Sequence, residues 1–235
     1  MRCGVARVLL GLMLLAVLPD GAAMAQCVPP SAAARNPTVH LDVLEPRLVY
    51  RHDLDLRGLA SFSDTFETAP AEGAILGLTR RNDQVSLRVR ADSVSLPDGR
   101  ICIWAEDIQA MVGDPEMDVY VAANYQVGTC EYNVVLQHEN QHVAINRSVL
   151  QAYAPRIGAG LREAVHRLFP MITTHREDLQ RLPDILIDAI RPVWGSMQRE
   201  LRERNGTIDT PESYRRTATL CTNWFPPGTR MPSRR

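Results

Sequence analysis

Two histidines and a glutamate in residues 138–142 (HENQH) have the types and the spacing that a metal site requires. On a helix, residues four positions apart lie one above the other, so His138 and His142 can bind the same metal ion. Glu139 lies on the same rim of the helix and can reach a metal-bound water without binding the metal. Zinc lowers the pKa of such a water toward 7, and a carboxylate can then take its proton. The motif therefore predicts one Zn²⁺ ion per chain, with His138 and His142 as ligands and Glu139 as the catalytic general base.

The HENQH motif is expected on a helix that follows a sheet. Apolar residues recur at helical spacing over residues 131–153, which predicts a helix around the motif. Residues 117–126 precede it and are rich in the residue types that favour strands. Four earlier strands are predicted, at residues 38–43, 48–54, 85–91 and 101–104.

The C-terminal half of the chain is predicted to be helical. Pro155 is expected to end the motif helix, because proline lacks the amide proton that a helix interior needs. Four more helices are predicted, at residues 156–169, 173–182, 183–204 and 209–220. Residues 58–73 hold Gly, Ser, Thr and Pro, and this composition predicts a loop. Strands followed by helices predict an α+β fold, with a mostly antiparallel sheet in residues 26–128 and a helical part in residues 129–235.

The predicted strand, Cys130 and the motif helix together resemble the zincin metallopeptidases, over about residues 117–150. The resemblance is greatest to secreted bacterial proteins described as predicted zinc-dependent proteases, of the gluzincin type. It implies a single zincin-like domain over residues 26–235, with a peptide or protein as the substrate. It also implies that the strand Val119–Tyr125 forms a sheet edge, along which an extended peptide would pair over the metal.

The third metal ligand is left open between two residues. A metzincin would place a glycine and a third histidine soon after His142, and residues 143–148 (VAINRS) contain neither. Thermolysin-like zincins take a glutamate from the next helix, about twenty residues on, so the resemblance implies Glu163 as the third metal ligand. His166 lies one turn further on the same face, and it is the alternative ligand or a catalytic stabiliser of the oxyanion. If the chain turned back at Pro155, His166 would lie nearer the level of His142 than Glu163.

The first 25 residues are predicted to be a signal peptide. Arg2 and Arg7 precede the apolar run Val8–Leu18, and an A-x-A sequence that ends at Ala25 provides a cleavage site. The run is too short to span a bilayer, and no later stretch reaches the roughly 20 apolar residues needed. We therefore expect an exported protein, periplasmic or extracellular, without a membrane span.

The four cysteines that follow the predicted cleavage site indicate two disulfide bonds, since an exported protein folds in an oxidising compartment. Cys27, Cys102, Cys130 and Cys221 allow three pairings. Cys130 directly precedes the motif helix, so we expect it to be bridged. A bond between Cys102 and Cys130 is preferred, which leaves Cys27 and Cys221 to join the two ends of the mature chain.

The composition excludes several classes of function. All 26 basic residues are arginines and 27 residues are acidic, which gives a net charge of −1. The chain has no basic excess to bind nucleic acid and no lysine for Schiff-base chemistry. The motif, the predicted signal peptide and the resemblance to zincins together imply a secreted or periplasmic zinc-dependent hydrolase, a metallopeptidase, which we expect to be a monomer. The alternative is an exported binding or envelope-associated domain that keeps a zincin-like scaffold without peptidase activity; four protein ligands on the metal would indicate it.

Overall fold

The computed structural model of the chain describes residues 27–63 and 75–224. Over these residues the fold is α+β, as the sequence predicts, with sheets in the N-terminal half and long helices in the C-terminal half. The predicted signal peptide, residues 1–25, lies outside the described part of the chain. None of the helices in that part is long and apolar enough to cross a membrane.

The larger sheet has three long strands and one short strand. β1 (Thr38–Leu44), β5 (Ile101–Gly113) and β4 (Gln84–Ser95) lie in the order β1-β5-β4, and β7 (Met171–Thr173) also pairs with β5. β1 runs parallel to β5, whereas β4 and β7 run antiparallel to it. In β4 the alternate apolar residues pack toward the core and the polar residues between them are exposed, as the period-two pattern predicts.

The smaller sheet has three strands, in the order β2 (Arg47–Arg51), β6 (Glu116–Val121) and β3 (Gly77–Arg80). β6 is parallel to β2 and antiparallel to β3. The strand predicted over residues 117–126 is therefore confirmed but ends earlier, at Val121. Because β6 is the central strand, its main-chain groups pair with β2 on one side and with β3 on the other.

A bend connects the two sheets. β1 continues into β2 after two residues, and β5 continues into β6 after two residues, so the same two chain segments run side by side through both sheets. At the bend Gly113 has a φ of +133°, and a Cβ there would lie 2.6 Å from the Leu44 carbonyl oxygen. Glycine is the residue that fits this close approach without moving the backbone.

The motif helix is longer than predicted. α3 spans Cys130–Leu168 without interruption, and Pro155 lies inside it. The prediction of separate helices at residues 131–153 and 156–169 is wrong, because buried residues on both sides of Pro155 pack in one core against the larger sheet and α4 (Leu182–Ile208). This shared burial outweighs the cost of an interior proline, which is about 3 kcal/mol or more.

The remaining helices are α1 (Ala32–Arg35), α2 (Leu56–Ser63) and α5 (Pro211–Ala218). α2 forms where a loop was predicted, and the rest of that segment, residues 64–73, lies outside the described part. The helix predicted over residues 173–182 is only a short 3₁₀ helix at Arg176–Leu179. α4 continues past Asn205, where the sequence suggested its end, and its C-cap is Asp209.

The main core lies between the larger sheet, α3 and α4. Its large buried side chains are those of Ile108, Val112, Val149, Tyr153, Ile157, Leu161, Leu186, Ile190, Met197 and Leu201. A smaller cluster of Met117, Val119 and Val143 packs β6 against the first part of α3. Val143 directly follows the motif, so this cluster fixes the helical turn that carries the two histidines.

Two disulfides join Cys27 to Cys102 and Cys130 to Cys221. Cys130 is bridged, as the sequence predicts, but the preferred pairing of Cys102 with Cys130 is wrong. The N-terminal segment packs on the first part of β5, where Cys27 and Cys102 belong to one small cluster with Trp104. The chain after α5 returns to the first residue of α3 and brings Cys221 to Cys130. Two disulfides in the described residues fit an exported protein.

Candidate metal centre

The HENQH motif lies near the start of α3, where the helix passes the smaller sheet. His138 and His142 are one helical turn apart, with 3.3 Å between their Nε2 atoms. Their side chains are 15% and 12% exposed, and Glu139 is buried. One possible ligand atom from each of the three residues lies within 4.8 Å of the other two. This turn of helix therefore assembles a group that can hold a metal ion.

Asp209 joins this group from a distant part of the chain. Its Oδ1 lies 3.0 Å from the His138 Nε2 and 3.3 Å from the His142 Nε2. Zinc binds imidazole nitrogen and carboxylate oxygen at about 2.0–2.2 Å, so two of its tetrahedral ligands lie roughly 3.3–3.6 Å apart. The three atoms form a triangle close to this size. Their chemistry and their spacing fit a tetrahedral metal ion with one further position for water.

The charges around this triangle favour a cation at its centre. Burial acts to raise the pKa of Asp209, but hydrogen bonds and charge interactions with His138 and His142 outweigh burial and hold that pKa below its usual value. Burial acts to lower the pKa of His142, but the contacts with Asp209 and the charge of Glu139 outweigh it and raise the pKa to about 9. The carboxylates of Asp209 and Glu139 thus stabilise positive charge on the histidines. A metal ion between the ligand atoms would carry positive charge at the same place.

Asn205, in the last turn of α4, contacts the outer nitrogen of His142. The Asn205 Oδ1 lies 2.7 Å from the His142 Nδ1, and the Asn205 Nδ2 donates to the Leu201 carbonyl oxygen over 2.9 Å. Metal-binding histidines commonly donate their second ring N–H to an acceptor of this kind. The contact leaves the His142 Nε2 directed at Asp209 and His138.

Glu139 is held by β3. The Thr79 hydroxyl lies 2.8 Å from the Glu139 Oε2, to which it donates, and 3.1 Å from the Glu139 carbonyl oxygen. Gly77 passes so close that a Cβ there would lie 2.6 Å from the Glu139 Oε1. Burial raises the pKa of Glu139, against the opposing effects of the two histidines and Thr79. A carboxylate with a raised pKa is a stronger base than an exposed one, which suits a residue that accepts a proton from water.

Tyr214 of α5 contacts the same carboxylate oxygen. Its hydroxyl donates to the Asp209 Oδ1 over 3.1 Å, and its ring centroid lies 6.0 Å from that of His138. Burial and the charge of Asp209 raise the pKa of Tyr214, so the hydroxyl keeps its proton at neutral pH. Tyr214 therefore acts as a hydrogen-bond donor beside the candidate ligands.

The segment that carries Asp209 and Tyr214 is tied to the start of α3. Cys221 follows α5 and forms its disulfide with Cys130, the first residue of α3. The Asn223 amide donates to the buried Glu131 carboxylate over 2.7 Å. These links place the chain after α4 against the helix that carries the motif.

The structure does not bring Glu163 or His166 to the motif. Both lie on the uninterrupted α3, and at 1.5 Å per residue Glu163 is about 32 Å along the helix axis from His142. The Glu163 side chain is 79% exposed and pairs with Arg167, and His166 is also exposed. The assignment of Glu163 as metal ligand and of His166 as catalytic residue required a turn at Pro155 that does not form. Asp209 lies beside the two histidines instead.

The edge strand beside the motif also differs from the sequence interpretation. The segment Val119–Tyr125 was expected to form a sheet edge, but β6 lies between β2 and β3. Among the described residues β3 pairs with β6 alone, and it carries the Thr79 that contacts Glu139. β3 is therefore the edge strand that lies beside Glu139, while Tyr50 of the other edge strand, β2, contacts Asn140 of the motif.

Sequence reasoning missed Asp209, Asn205, Thr79 and Tyr214 as site residues. Asp209 was interpreted as the start of a helix and Asn205 as the end of one. Polar residues at a junction between helices commonly serve as caps, so an Asp and an Asn at these positions did not indicate a metal site. Asp209 lies 71 residues from His138 along the chain, and no periodic pattern extends over that distance.

Similarity to known proteins does not identify the chain. No protein-family model, no curated protein and no solved structure matches it. Its function must therefore be argued from the site itself: the three donor atoms, the buried Glu139 beside them and the links that hold Asp209 in place.

Proposed function

We propose that the protein is a zinc-dependent hydrolase, a secreted or periplasmic metallopeptidase. The observation that supports this most directly is the triangle of His138 Nε2, His142 Nε2 and Asp209 Oδ1, with sides of 3.0 and 3.3 Å. Three protein ligands leave the fourth tetrahedral position of zinc to water, which is the arrangement of catalytic sites. Structural zinc sites have four protein ligands instead.

The types of the ligands favour zinc over the other common metals. Two imidazoles and one carboxylate form a borderline donor set, whereas calcium and magnesium prefer oxygen ligands throughout. The cysteines at positions 27, 102, 130 and 221 are all in disulfides, so none of them supplies a thiolate for copper or an iron–sulfur cluster. We therefore assign one zinc ion per chain to His138, His142 and Asp209.

Glu139 is the general base of the proposed reaction. Bound zinc would polarise the substrate carbonyl and lower the pKa of water toward 7. Glu139 follows the ligand His138 directly, and the Thr79 hydroxyl holds its Oε2 in place. Its Oε1 is then left to take a proton from the attacking water and return it to the leaving amine. The raised pKa of Glu139 supports both steps.

Tyr214 takes over the role that the sequence suggested for His166. Its hydroxyl keeps its proton and reaches the Asp209 Oδ1, so it lies within range of a substrate oxygen that approaches the same three ligands. We assign to it the contact with the oxyanion of the tetrahedral intermediate, for which its single hydrogen would turn from Asp209 to the substrate oxygen. The substrate would be a peptide, paired along the edge of β3, because Thr79 and Gly77 of this strand lie against Glu139.

The test compares metal content and hydrolysis in matched variants of the full exported chain. We expect about one zinc per chain in the wild type and in Glu139→Gln, with hydrolysis of a quenched fluorescent peptide library at least about 100-fold slower in Glu139→Gln. His142→Ala should lose both zinc and activity, and Glu163→Gln should keep both. A wild-type protein without zinc would contradict the proposal. Bound zinc with no hydrolysis of any peptide would support the exported binding domain instead.

A further inference from the structure

We propose that Asn205 is a positioning residue for the metal centre, which sets the tautomer of His142 and, through its main chain, the place of Asp209. This inference rests on the proposed function only in the identity of the metal. The observation behind it is that Asn205 contacts two of the three candidate ligands, one through its side chain and one through its carbonyl group.

The hydrogen bonds of the Asn205 amide leave one orientation for its oxygen. The Leu201 carbonyl can only accept, so the atom 2.9 Å from it must be the Asn205 Nδ2, which donates. The second hydrogen of this Nδ2 is directed at the Asn146 Oδ1, 3.4 Å away. The Asn205 Oδ1 therefore has to accept, and the atom it faces at 2.7 Å is the His142 Nδ1.

This orientation decides which nitrogen of His142 is available to a metal. A neutral imidazole carries one hydrogen, and in the zinc-free protein it can be accepted by Asn205 at Nδ1 or by Asp209 at Nε2. The contact with Asn205 is the shorter, 2.7 Å against 3.3 Å, and it places the hydrogen on Nδ1. The lone pair is then on Nε2, which lies 3.3 Å from both the His138 Nε2 and the Asp209 Oδ1. An imidazole in the other tautomer would direct an N–H at the place where the metal has to lie.

Asn205 also reaches Asp209 through the backbone. The Asp209 amide donates to the Asn205 carbonyl oxygen over 3.3 Å, as the C-cap contact of α4. Asn146 lies one turn beyond His142 on the same face of α3 and is buried, so it supports the amide from the other helix. A single residue thereby connects α3 to the end of α4 at the level of the site.

Two substitutions separate this role from a merely structural one. Asn205→Ala removes both the acceptor for His142 and the donor to Leu201, whereas Asn205→Asp keeps the acceptor and loses the donor. If Asn205 positions His142, Asn205→Ala should weaken zinc binding about 10–100-fold, and Asn205→Asp should stay within about threefold of wild type. If the donor to Leu201 mattered instead, both variants would be weakened alike.

The experiment measures zinc affinity by competition with a chromogenic chelator and the His142 tautomer by ¹⁵N NMR of the zinc-free protein with neutral imidazoles. We expect the hydrogen on Nδ1 in wild type and Asn205→Asp, and on Nε2 in Asn205→Ala. Thr207→Ala, exposed on the same last turn of α4, is the control and should behave as wild type. Equal zinc affinity in wild type and Asn205→Ala, or an unchanged tautomer, would overturn the inference. A wild-type protein that binds no zinc would contradict the proposed function. The NMR comparison of the His142 tautomer in wild type and Asn205→Ala would still test whether Asn205 positions His142.

Discussion

The candidate metal centre joins two parts of the molecule that are built differently. The first arm is residues 138–142 on α3, and the second arm is residues 205–214, from the last turn of α4 into α5. The first arm brings two imidazoles together within one turn of a helix. The second arm places the Asp209 carboxylate at the C-terminal end of α4. The position of that end depends on how α4 packs against α3 and the larger sheet.

The two arms are also held in place by different forces. Helical hydrogen bonds and the cluster of Met117, Val119 and Val143 fix the first arm. The second arm relies on the Cys130–Cys221 disulfide and on single hydrogen bonds from Asn205 and Tyr214. A site whose first half is a regular element and whose second half is a junction should therefore be most sensitive at the junction.

Removal of Asp209 should have the largest effect, because it deletes the proposed charged ligand of the second arm. We expect Asp209→Ala to lower zinc affinity about 1000-fold, more than the 10–100-fold typical of residues that only support a ligand. Chelator competition measures the change. Glu163→Ala removes an equal charge from the exposed end of α3 and should leave zinc affinity unchanged. If the two variants were equally impaired, the second arm would not supply the ligand.

The two disulfides offer a matched comparison. They close loops of similar length, with sequence separations of 91 and 75 residues, so loss of either should cost about 2–4 kcal/mol of unfolding free energy. The double variant Cys130→Ser/Cys221→Ser loosens the second arm, and we expect zinc affinity to fall about tenfold beyond the loss of stability. Cys27→Ser/Cys102→Ser should leave zinc affinity unchanged in molecules that remain folded. Urea unfolding and zinc titration measure the two quantities, and equal zinc affinities would refute a role for the Cys130–Cys221 bond at the site.

Gly77→Ala should disturb the base without touching the ligands. The added Cβ would lie 2.6 Å from the Glu139 Oε1 and 2.7 Å from the Val135 Cγ1, so Glu139 must move. We expect zinc content to stay constant while peptide hydrolysis slows about fivefold to tenfold, in line with the cost of overpacking. Gly160→Ala on α3 is the control, since its Cβ would make an ordinary contact of 3.5 Å with Ile190. A loss of zinc in Gly77→Ala would show that β3 supports the ligands as well as the base.

The smallest expected effect is the pH dependence of the zinc-free protein. In the folded chain the pKa of His142 is raised from 6.5 to about 9. The stability that this shift contributes is complete below about pH 6.5 and is lost as the pH rises through 9. We expect a loss of about 1 kcal/mol, because solvent partly screens the pair with Asp209.

Urea unfolding of the zinc-free protein measures this loss, and His142→Ala should remove it. Saturating zinc should reverse the trend over the same pH range, because zinc binds the deprotonated imidazole. A zinc-free wild type whose stability rises between about pH 6.5 and 9 would contradict the assigned contact between His142 and Asp209.

The predictions made from the sequence succeeded where a signal was local. The strand predicted at residues 85–91 from its period-two pattern is confirmed as part of β4. The helix predicted around residues 138–142 from its helical pattern is confirmed as part of α3. The predicted break of the helix at Pro155 is wrong. The prediction took account of the cost of a proline inside a helix, but not of the side chains that α3 buries against α4 and the larger sheet. The disulfide pairing was wrong because it depends on where α5 returns, which no spacing of cysteines encodes.

The break predicted at Pro155 was also the basis for placing Glu163 and His166 near the motif. A helix that ended there would have folded back and brought Glu163 or His166 toward His142, whereas the continuous α3 carries both away. A change in the path of one helix thus moved the predicted ligand by several turns. The residue that does lie beside the histidines, Asp209, follows a helix whose length was itself underestimated.

The sequence by itself determined the first half of the site, since a helix of 3.6 residues per turn places His138 and His142 on one face wherever that helix lies. Only the tertiary structure decided the second half. Asp209, Asn205 and Tyr214 reach the motif because α4 packs along α3 and the Cys130–Cys221 disulfide returns the chain to the start of α3. The physical reason is range: hydrogen bonds within a helix are set by neighbours in sequence, whereas contacts between helix ends follow from the burial of the whole core.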